Sequence, residues 1–371
     1  MPEIDKLLKD YKDLGITRAS EAVKYSLFTT PFSTVNSLIG GIPKGRFTTL
    51  AGPEHTGKGA FCAQLVAHLQ AEDPNFVALW TDAENAFDET WAQKLGIDLD
   101  RLILQKYNVE VNTMERLMDK ALEVIKKANV NLWIVDSIGA LLPKNDAYET
   151  RGKTLIDKSL EGTNMLNLQR KLGEFYRKAN VFISPRPKDN YEGCAVIMIG
   201  QVYTVPDAHV PLEAVKGGNA VKHWAHLRMM FRRGPKSDWP EKIKLKTPDG
   251  EVREVFPGWS GRIKVEKTRI NPNEGKEILL NFNHGRGFDS KGATINSAFG
   301  LGLIERAGAY YSNPHLPDGR VRGREDVVKF FNENEDAYKK LFNDVMEISL
   351  QDIPVTDDNA NLNLDTSNSN D

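Results

Sequence analysis

Gly52-Pro53-Glu54-His55-Thr56-Gly57-Lys58-Gly59 follows the apolar run FTTLA and precedes AFCAQLVAHLQ, which has helical apolar spacing. Glycines in a strand-to-helix turn let backbone N–H groups converge on an anion. The helix N-terminus and Lys58 add positive charge, so the chemistry indicated is phosphate binding. The pattern is G-x-x-x-x-G-K without the usual closing Ser or Thr. Gly59 stands where a hydroxyl would ligate Mg²⁺, and Ala60 beside it offers none. Composition alone produces the pattern in roughly one chain in ten of this length, so its place between strand and helix carries the reading. Mg²⁺ readily keeps several waters, and one can fill the missing position. Nucleotide binding is therefore expected to survive while metal affinity or turnover suffers.

Three further residues end apolar runs and can act on a bound triphosphate. Asp136 closes Leu132-Trp133-Ile134-Val135, at the carboxyl edge of a strand where ligands gather in open α/β sheets, and is the natural carboxylate on the Mg²⁺ side, through water. Glu84, in Trp80-Thr-Asp82-Ala-Glu84, can orient or deprotonate a water for attack on the γ-phosphate, and Asp82 competes with it on residue type alone. Gln201 ends AVIMIGQ, where an amide can report a γ-phosphate or simply close a strand.

Placing these residues together requires a particular architecture. FTTLAG, FVALWTD, RLILQ, LWIVDS and AVIMIGQ are short β-rich runs with helical patterns between most of them, which predicts a parallel sheet covered on both faces. NAVKHWAHL reads as a helix, RMMFRR, RIKVEK and ILLNFNHG as added strands, and TPDG as a hairpin turn. Residues 290–346, including SAFGLGLIERAGAYY, read as largely helical and are expected to form a small C-terminal domain. Ile4, Leu7, Leu8, Tyr11 and Leu14 make one apolar stripe on a short helix, which packs either on its own domain or on a neighbouring subunit. The expected units are residues 1–28, a core over 29–289, a small domain over 290–346 and an unstructured tail over 347–371.

Composition narrows the class. The 371 residues are 27% charged and 40% apolar, as in globular proteins. No apolar run approaches the roughly 18 residues of a membrane span. The N-terminus mixes acids with lysines and lacks an apolar signal segment, so a cytosolic chain is expected. Cys62 and Cys194 are far apart in sequence and fit no metal or disulfide spacing, so both are expected to be buried thiols. Six acids and no Lys or Arg lie between Glu347 and Asp371, which leaves the rest of the chain 49 basic to 45 acidic residues. A mildly basic body with an acidic tail is compatible with a nucleic-acid partner.

Taken together, the motifs resemble the bacterial RecA recombinase family over about residues 29–346. The likeness is carried in order by GGIPKGRFTTLAGPEHTGKG, DAENAFDETWAQKLGIDLDRL, VDSIGALLPK, GGNAVKHWA and LIERAGAYYS. It implies an α/β RecA-type P-loop NTPase core with a short N-terminal oligomerisation helix. It also implies an ATP-dependent, Mg²⁺-requiring recombinase of DNA repair. Such a protein forms head-to-tail filaments on single-stranded DNA and pairs them with homologous duplex DNA. Single-strand-binding and loader proteins extend the implied partner class, and no membrane is involved.

Residue by residue, the resemblance selects Glu84 over Asp82 as the water-activating carboxylate and makes Gln201 the γ-phosphate sensor. It sets Asp88 and Trp91 near adenine, with Trp91 replacing the family's tyrosine. Lys267 and Arg269 match two family lysines that reach the ATP of the adjacent subunit, where cations stabilise transition-state charge. Arg269 keeps that charge but changes its geometry. The DNA-binding loops correspond to about residues 145–170, with Arg170, and 202–219, with Tyr203, Lys216, Gly217, Gly218 and Asn219. Departures are Gly59, His223 in place of a phenylalanine, and an insertion at SPRPKDNYEG. The shorter homology and the polar acidic tail suit a phage-borne or divergent bacterial member.

Overall fold

The computed structural model describes residues 2–10, 18, 26–107, 113–151, 154–157, 166–186, 191–205, 212–246 and 251–350. A ten-stranded sheet organises them. Its strands are β1 (Phe47–Gly52), β2 (Ala78–Asp82), β3 (Leu102–Lys106), β4 (Leu132–Asp136), β5 (Ala195–Val205), β6 (Leu212–Val215), β7 (Ala225–Arg233), β8 (Gly258–Thr268), β9 (Glu277–Asn283) and β10 (Gly287–Phe288). They lie in the order β10-β9-β8-β7-β1-β5-β4-β2-β3, with β6 paired to β5. From β7 to β3 every pairing is parallel, and β8, β9, β10 and β6 join antiparallel.

Side-chain alternation along these strands feeds two separate cores. Leu50, Leu132, Ile134, Ile197 and Ile199 enter one cluster, packed with Phe61, Leu65, Val66 and Leu69 of helix α3 (Lys58–Glu72). Phe47, Ala51, Trp133, Val135, Val196 and Met198 enter the other. There they meet Leu117, Met118, Ala121 and Ile125 of α5 (Met114–Ala128) and Leu172, Phe175, Tyr176 and Ala179 of α6 (Leu166–Ile183). Both faces of these strands are thus covered, which is why they read as continuous apolar runs. The other helices before the C-terminal part include α1 (Pro2–Asp10), α2 (Ser33–Ile39), α4 (Glu89–Lys94) and α7 (Gly218–Trp224).

A third core joins Ile295 and Ala298 of α8 (Ser290–Gly300), Val327 and Phe331 of α9 (Arg324–Glu333) and Leu341 and Val345 of α10 (Glu335–Leu350). The expected helix through SAFGLGLIERAGAYY ends at Gly300. Glu305–Ala307 and Tyr310–Ser312 are instead strands, paired with each other and, through the second, with Arg320–Arg322. Gly302 and Gly308, with φ of 73° and 65°, supply the turns that break the helical run. Glu347–Leu350 continue α10 rather than opening an unstructured tail, and residues 351–371 lie outside the described residues. Ile4 and Leu7 on α1 are each 53% exposed, while Tyr11 and Leu14 also fall outside the described set. Both cysteines are fully buried, and burial pushes their thiols up.

Candidate functional site

The site forms where the parallel strands run out. Residues Gly52 to Lys58 turn from β1 into α3, and Gly57 caps the helix with φ of 85°. A Cβ at Gly57 would lie 2.7 Å from the Phe288 ring, so glycine is required by space as well as by conformation. Lys58 is 7% exposed, and its Nζ donates to the carbonyls of Gly52 at 2.9 Å and Pro53 at 2.6 Å. The Thr56 hydroxyl donates to Pro53 O at 2.9 Å. Burial lowers the Lys58 pKa, opposed by the nearby Asp136, Glu84 and Glu54 carboxylates.

A cavity of about 360 Å³ is bounded by residues 54–59, Glu84, Asp136, Ser137, Ile199 and Gln201. Asp136 ends β4, and burial, then repulsion from Glu84 and Asp82, pushes its carboxyl up to about 7 despite Lys58. Such a carboxylate, short of positive partners, is a favourable seat for a cation. A Cβ built on Gly59 would lie 3.7 Å from Asp136 Oδ2, so the missing P-loop side chain would project toward this same carboxylate. The cradle of glycines, Lys58 and Asp136 therefore fits a triphosphate with Mg²⁺, and the space beside Gly59 is available to water.

The two candidate bases separate by geometry. Asp82 is 3% exposed, and its carboxylate accepts from Ala86 N and Phe87 N, both at 3.0 Å, so it holds the turn. Glu84 stands on that turn, is exposed and faces the cavity. Its Oε1 accepts from the Ser137 hydroxyl and, at 3.3 Å, from Gln201 Nε2. Asp88 caps α4 by accepting from Trp91 N at 2.9 Å, and neither Asp88 nor Trp91 lines this cavity.

Lys267 and Arg269 lie elsewhere. Lys267 is paired with Arg228, which is level with Thr49 on β1, and its Nζ donates to Lys222 O at 2.8 Å and His223 O at 3.0 Å. Arg269 borders a second cavity of about 300 Å³ with Arg46, the residue before β1, and with His223 and His226. That cavity lies toward the amino-terminal end of β1, roughly 16 Å of strand from the P-loop. Burial, followed by Arg46 and Arg269, lowers His226 to about 4. This cationic surrounding disfavours a metal on His223 and His226.

The DNA-binding loop expected over 202–219 includes strand structure. Val202–Val205 extend β5, β6 pairs back on them, and only 206–211 lie outside the described residues. Tyr203 is on this hairpin, opposite Ala214. Lys216 N donates to Gln201 O at 3.2 Å, which ties the root of the segment to β5 beside the cavity. Gly217, with φ of 99°, caps α7, and Asn219 is exposed on its first turn. A Cβ at Gly218 would lie 2.4 Å from Gln169, the neighbour of exposed Arg170 on α6, so the two DNA-loop candidates meet here. In the 145–170 segment, Tyr148–Arg151 pairs with Thr154–Asp157, while 152–153 and 158–165 lie outside the described residues.

Two features carry no signal in the sequence. A serine after an aspartate has no spacing pattern of its own, so nothing marks Ser137. The P-loop is also clasped from outside: Arg233 Nε donates to His55 O at 2.9 Å while its guanidinium lies 4.9 Å from the Trp259 ring centroid. RMMFRR announced only a strand.

This fold is that of a P-loop NTPase core, a largely parallel sheet extended by antiparallel strands. The RecA N-terminal domain family matches residues 16–270. Protein RecA of Caulobacter vibrioides (strain NA1000 / CB15N) is 29% identical over 299 residues, covering 81% of this chain and 74% of that protein. Protein RecA of Rickettsia massiliae (strain Mtu5) is 27% identical over 329 residues, covering 88% and 83%. Protein RecA of Cytophaga hutchinsonii is 28% identical over 350 residues, covering 91% and 86%. The chain belongs to the RecA family. No helix among the described residues is long and apolar enough to cross a membrane.

Two outcomes test the electrostatics of the site. Because Asp136 titrates higher folded than unfolded, the folded protein holds the extra proton between about pH 4 and pH 7, and stability falls as pH rises through that window. Asp136→Asn should match the parent near pH 4 and exceed it near pH 8, by roughly up to 4 kcal/mol in denaturant titrations. Equal stability at both pH values would show that the carboxylate carries no burial penalty. Gly59→Ser should fold like the parent and lower the Mg²⁺ concentration needed for tight nucleotide binding several-fold. An unchanged Mg²⁺ dependence would mean that the added hydroxyl does not reach the metal.

Proposed function

We propose that this protein is a DNA-dependent ATPase and recombinase that assembles head to tail on single-stranded DNA and pairs it with homologous duplex. The observation that carries the reading is the convergence of Lys58, Glu84, Asp136 and Gln201 on one cavity, with Gln201 bonded through its backbone to the root of the 202–219 segment. In this reading the backbone N–H groups of Gly57 to Ala60 and the Lys58 ammonium bind the phosphates of ATP. Asp136 holds Mg²⁺ through water, and the ion when bound neutralises charge on the phosphate oxygens. Glu84 accepts a proton from water as the water oxygen attacks the γ-phosphorus, and the bond to the β–γ bridging oxygen breaks. Asp88 and Trp91 flank the adenine side.

Gln201 answers the γ-phosphate with its amide, and β5 transmits that response to Tyr203, Lys216, Gly217, Gly218 and Asn219. With Arg170 these residues grip single-stranded DNA through backbone-directed contacts that tolerate any sequence. Lys267 and Arg269 are too far down the sheet to serve their own P-loop and supply transition-state charge to the next protomer. A heterologous contact of this kind produces an open helical filament, and the exposed apolar face of α1 docks on the neighbouring core. Strand exchange takes place in the cytoplasm in this reading.

A second reading, an ATP-binding filament with little turnover, is favoured by the single fact that Gly59 lacks a hydroxyl. Steady-state ATP hydrolysis with Mg²⁺ separates the two. Strong stimulation by single-stranded DNA, reduced at least about 100-fold by Glu84→Gln, is expected. No hydrolysis with ATP-dependent DNA binding intact would favour the non-cycling filament. The trans arrangement predicts complementation: Lys58→Ala protomers and Lys267→Ala/Arg269→Ala protomers, each inactive alone, should regain hydrolysis when mixed. Silence of the mixture, with both variants entering filaments, would overturn the shared site.

A further inference from the structure

We propose that Ser137 is a positioning residue for ATP hydrolysis, fixing Glu84 so that one carboxylate oxygen belongs to the protein and the other is presented to the attacking water. The proposal rests on the ATPase reading above and gives a role to a residue which that reading leaves idle. Ser137 follows Asp136 at the end of β4, is 1% exposed, and its hydroxyl donates to Glu84 Oε1. Gln201 Nε2 donates to the same oxygen at 3.3 Å. Among the described residues both protein donors to Glu84 reach Oε1, which leaves Oε2 as the oxygen for a water.

The two donors are not equally fixed. Gln201 sits on a strand whose continuation forms the DNA-loop hairpin, and its carbonyl accepts from Lys216 N at the hairpin root. An amide that turns toward a γ-phosphate loosens a 3.3 Å bond to Glu84. Ser137 belongs to a short turn: Ala140 N donates to Ser137 O at 3.2 Å, and Ile138 and Leu141 on either side of that bond are buried in the core. It is the anchor that stays when the sensor moves.

Glu84 needs such an anchor because it and the neighbouring Asp136 carboxylate repel each other, and it lies on an exposed turn from which it can swing into solvent. A charge-assisted hydrogen bond to a carboxylate is among the stronger single contacts available for this purpose. A catalytic group displaced by about 1 Å can lose on the order of 100-fold in rate.

A double-variant cycle on the full chain tests the idea. Ser137→Ala should lower kcat for DNA-stimulated hydrolysis about 10- to 100-fold, with the KM for ATP and the ATP-dependent affinity for single-stranded DNA within about twofold of the parent. In a Glu84→Gln background the same substitution should cost less than about twofold more in single-turnover rate, because its partner is already disabled. Parental kcat in Ser137→Ala would overturn the proposal. So would a loss of ATP and DNA affinity in step with kcat, which marks a folding defect, or fully multiplicative losses in the double variant. Absence of hydrolysis in the parent is a distinct result that overturns the ATPase reading first and this proposal with it.

Discussion

Strands buried on both faces cannot carry polar chemistry along their length, so the parallel sheet exports its functional side chains to its ends. Trp133 and Val135 face one core while Leu132 and Ile134 face the other, and only at Asp136 does β4 meet a cavity. The same exit brings Gly52 to Lys58 off β1, Glu84 off β2 and Gln201 along β5 to one edge. Convergence of residues more than a hundred positions apart is thus a property of parallel strand order. The opposite end of the sheet collects Arg46, His226 and Arg269, so the two ends differ in charge.

Charge within the cavity is arranged around a deficit. Asp136, Glu84 and Glu54 outnumber Lys58 along its lining, while Asp82, outside the lining, is consumed by the backbone of its own turn. Burial first, and then this imbalance, raises the Asp136 carboxyl. In the ATPase reading a cation would relieve it, and Gly59 would give that cation one protein ligand fewer without filling the space.

In the proposed recombinase the path from nucleotide to DNA is short. Gln201 lies between Glu84 and Lys216, and Gly218 lies against Gln169 beside Arg170, so a change at one end is felt through packed atoms rather than across solvent. Pairing of β6 with Val202–Val205 braces the described part of the segment beside its root.

Much of this was legible from the chain alone. The strand runs, the P-loop between strand and helix, the candidate carboxylates and the family likeness are local patterns, set by apolar period, glycine placement and residue type. The choice between Asp82 and Glu84 was not open to spacing, because the distinction lies in which carboxylate the turn's own N–H groups capture. Ser137, the Arg233 and Trp259 clasp, and the strands at Glu305–Ala307 and Tyr310–Ser312 were likewise invisible, since each acquires meaning only from a partner distant in sequence. The amino-acid order by itself determined the elements and the kinds of chemistry they can hold. Tertiary packing decided which oxygen meets which donor, because hydrogen bonds and charge act over a few ångströms and only folding sets those distances.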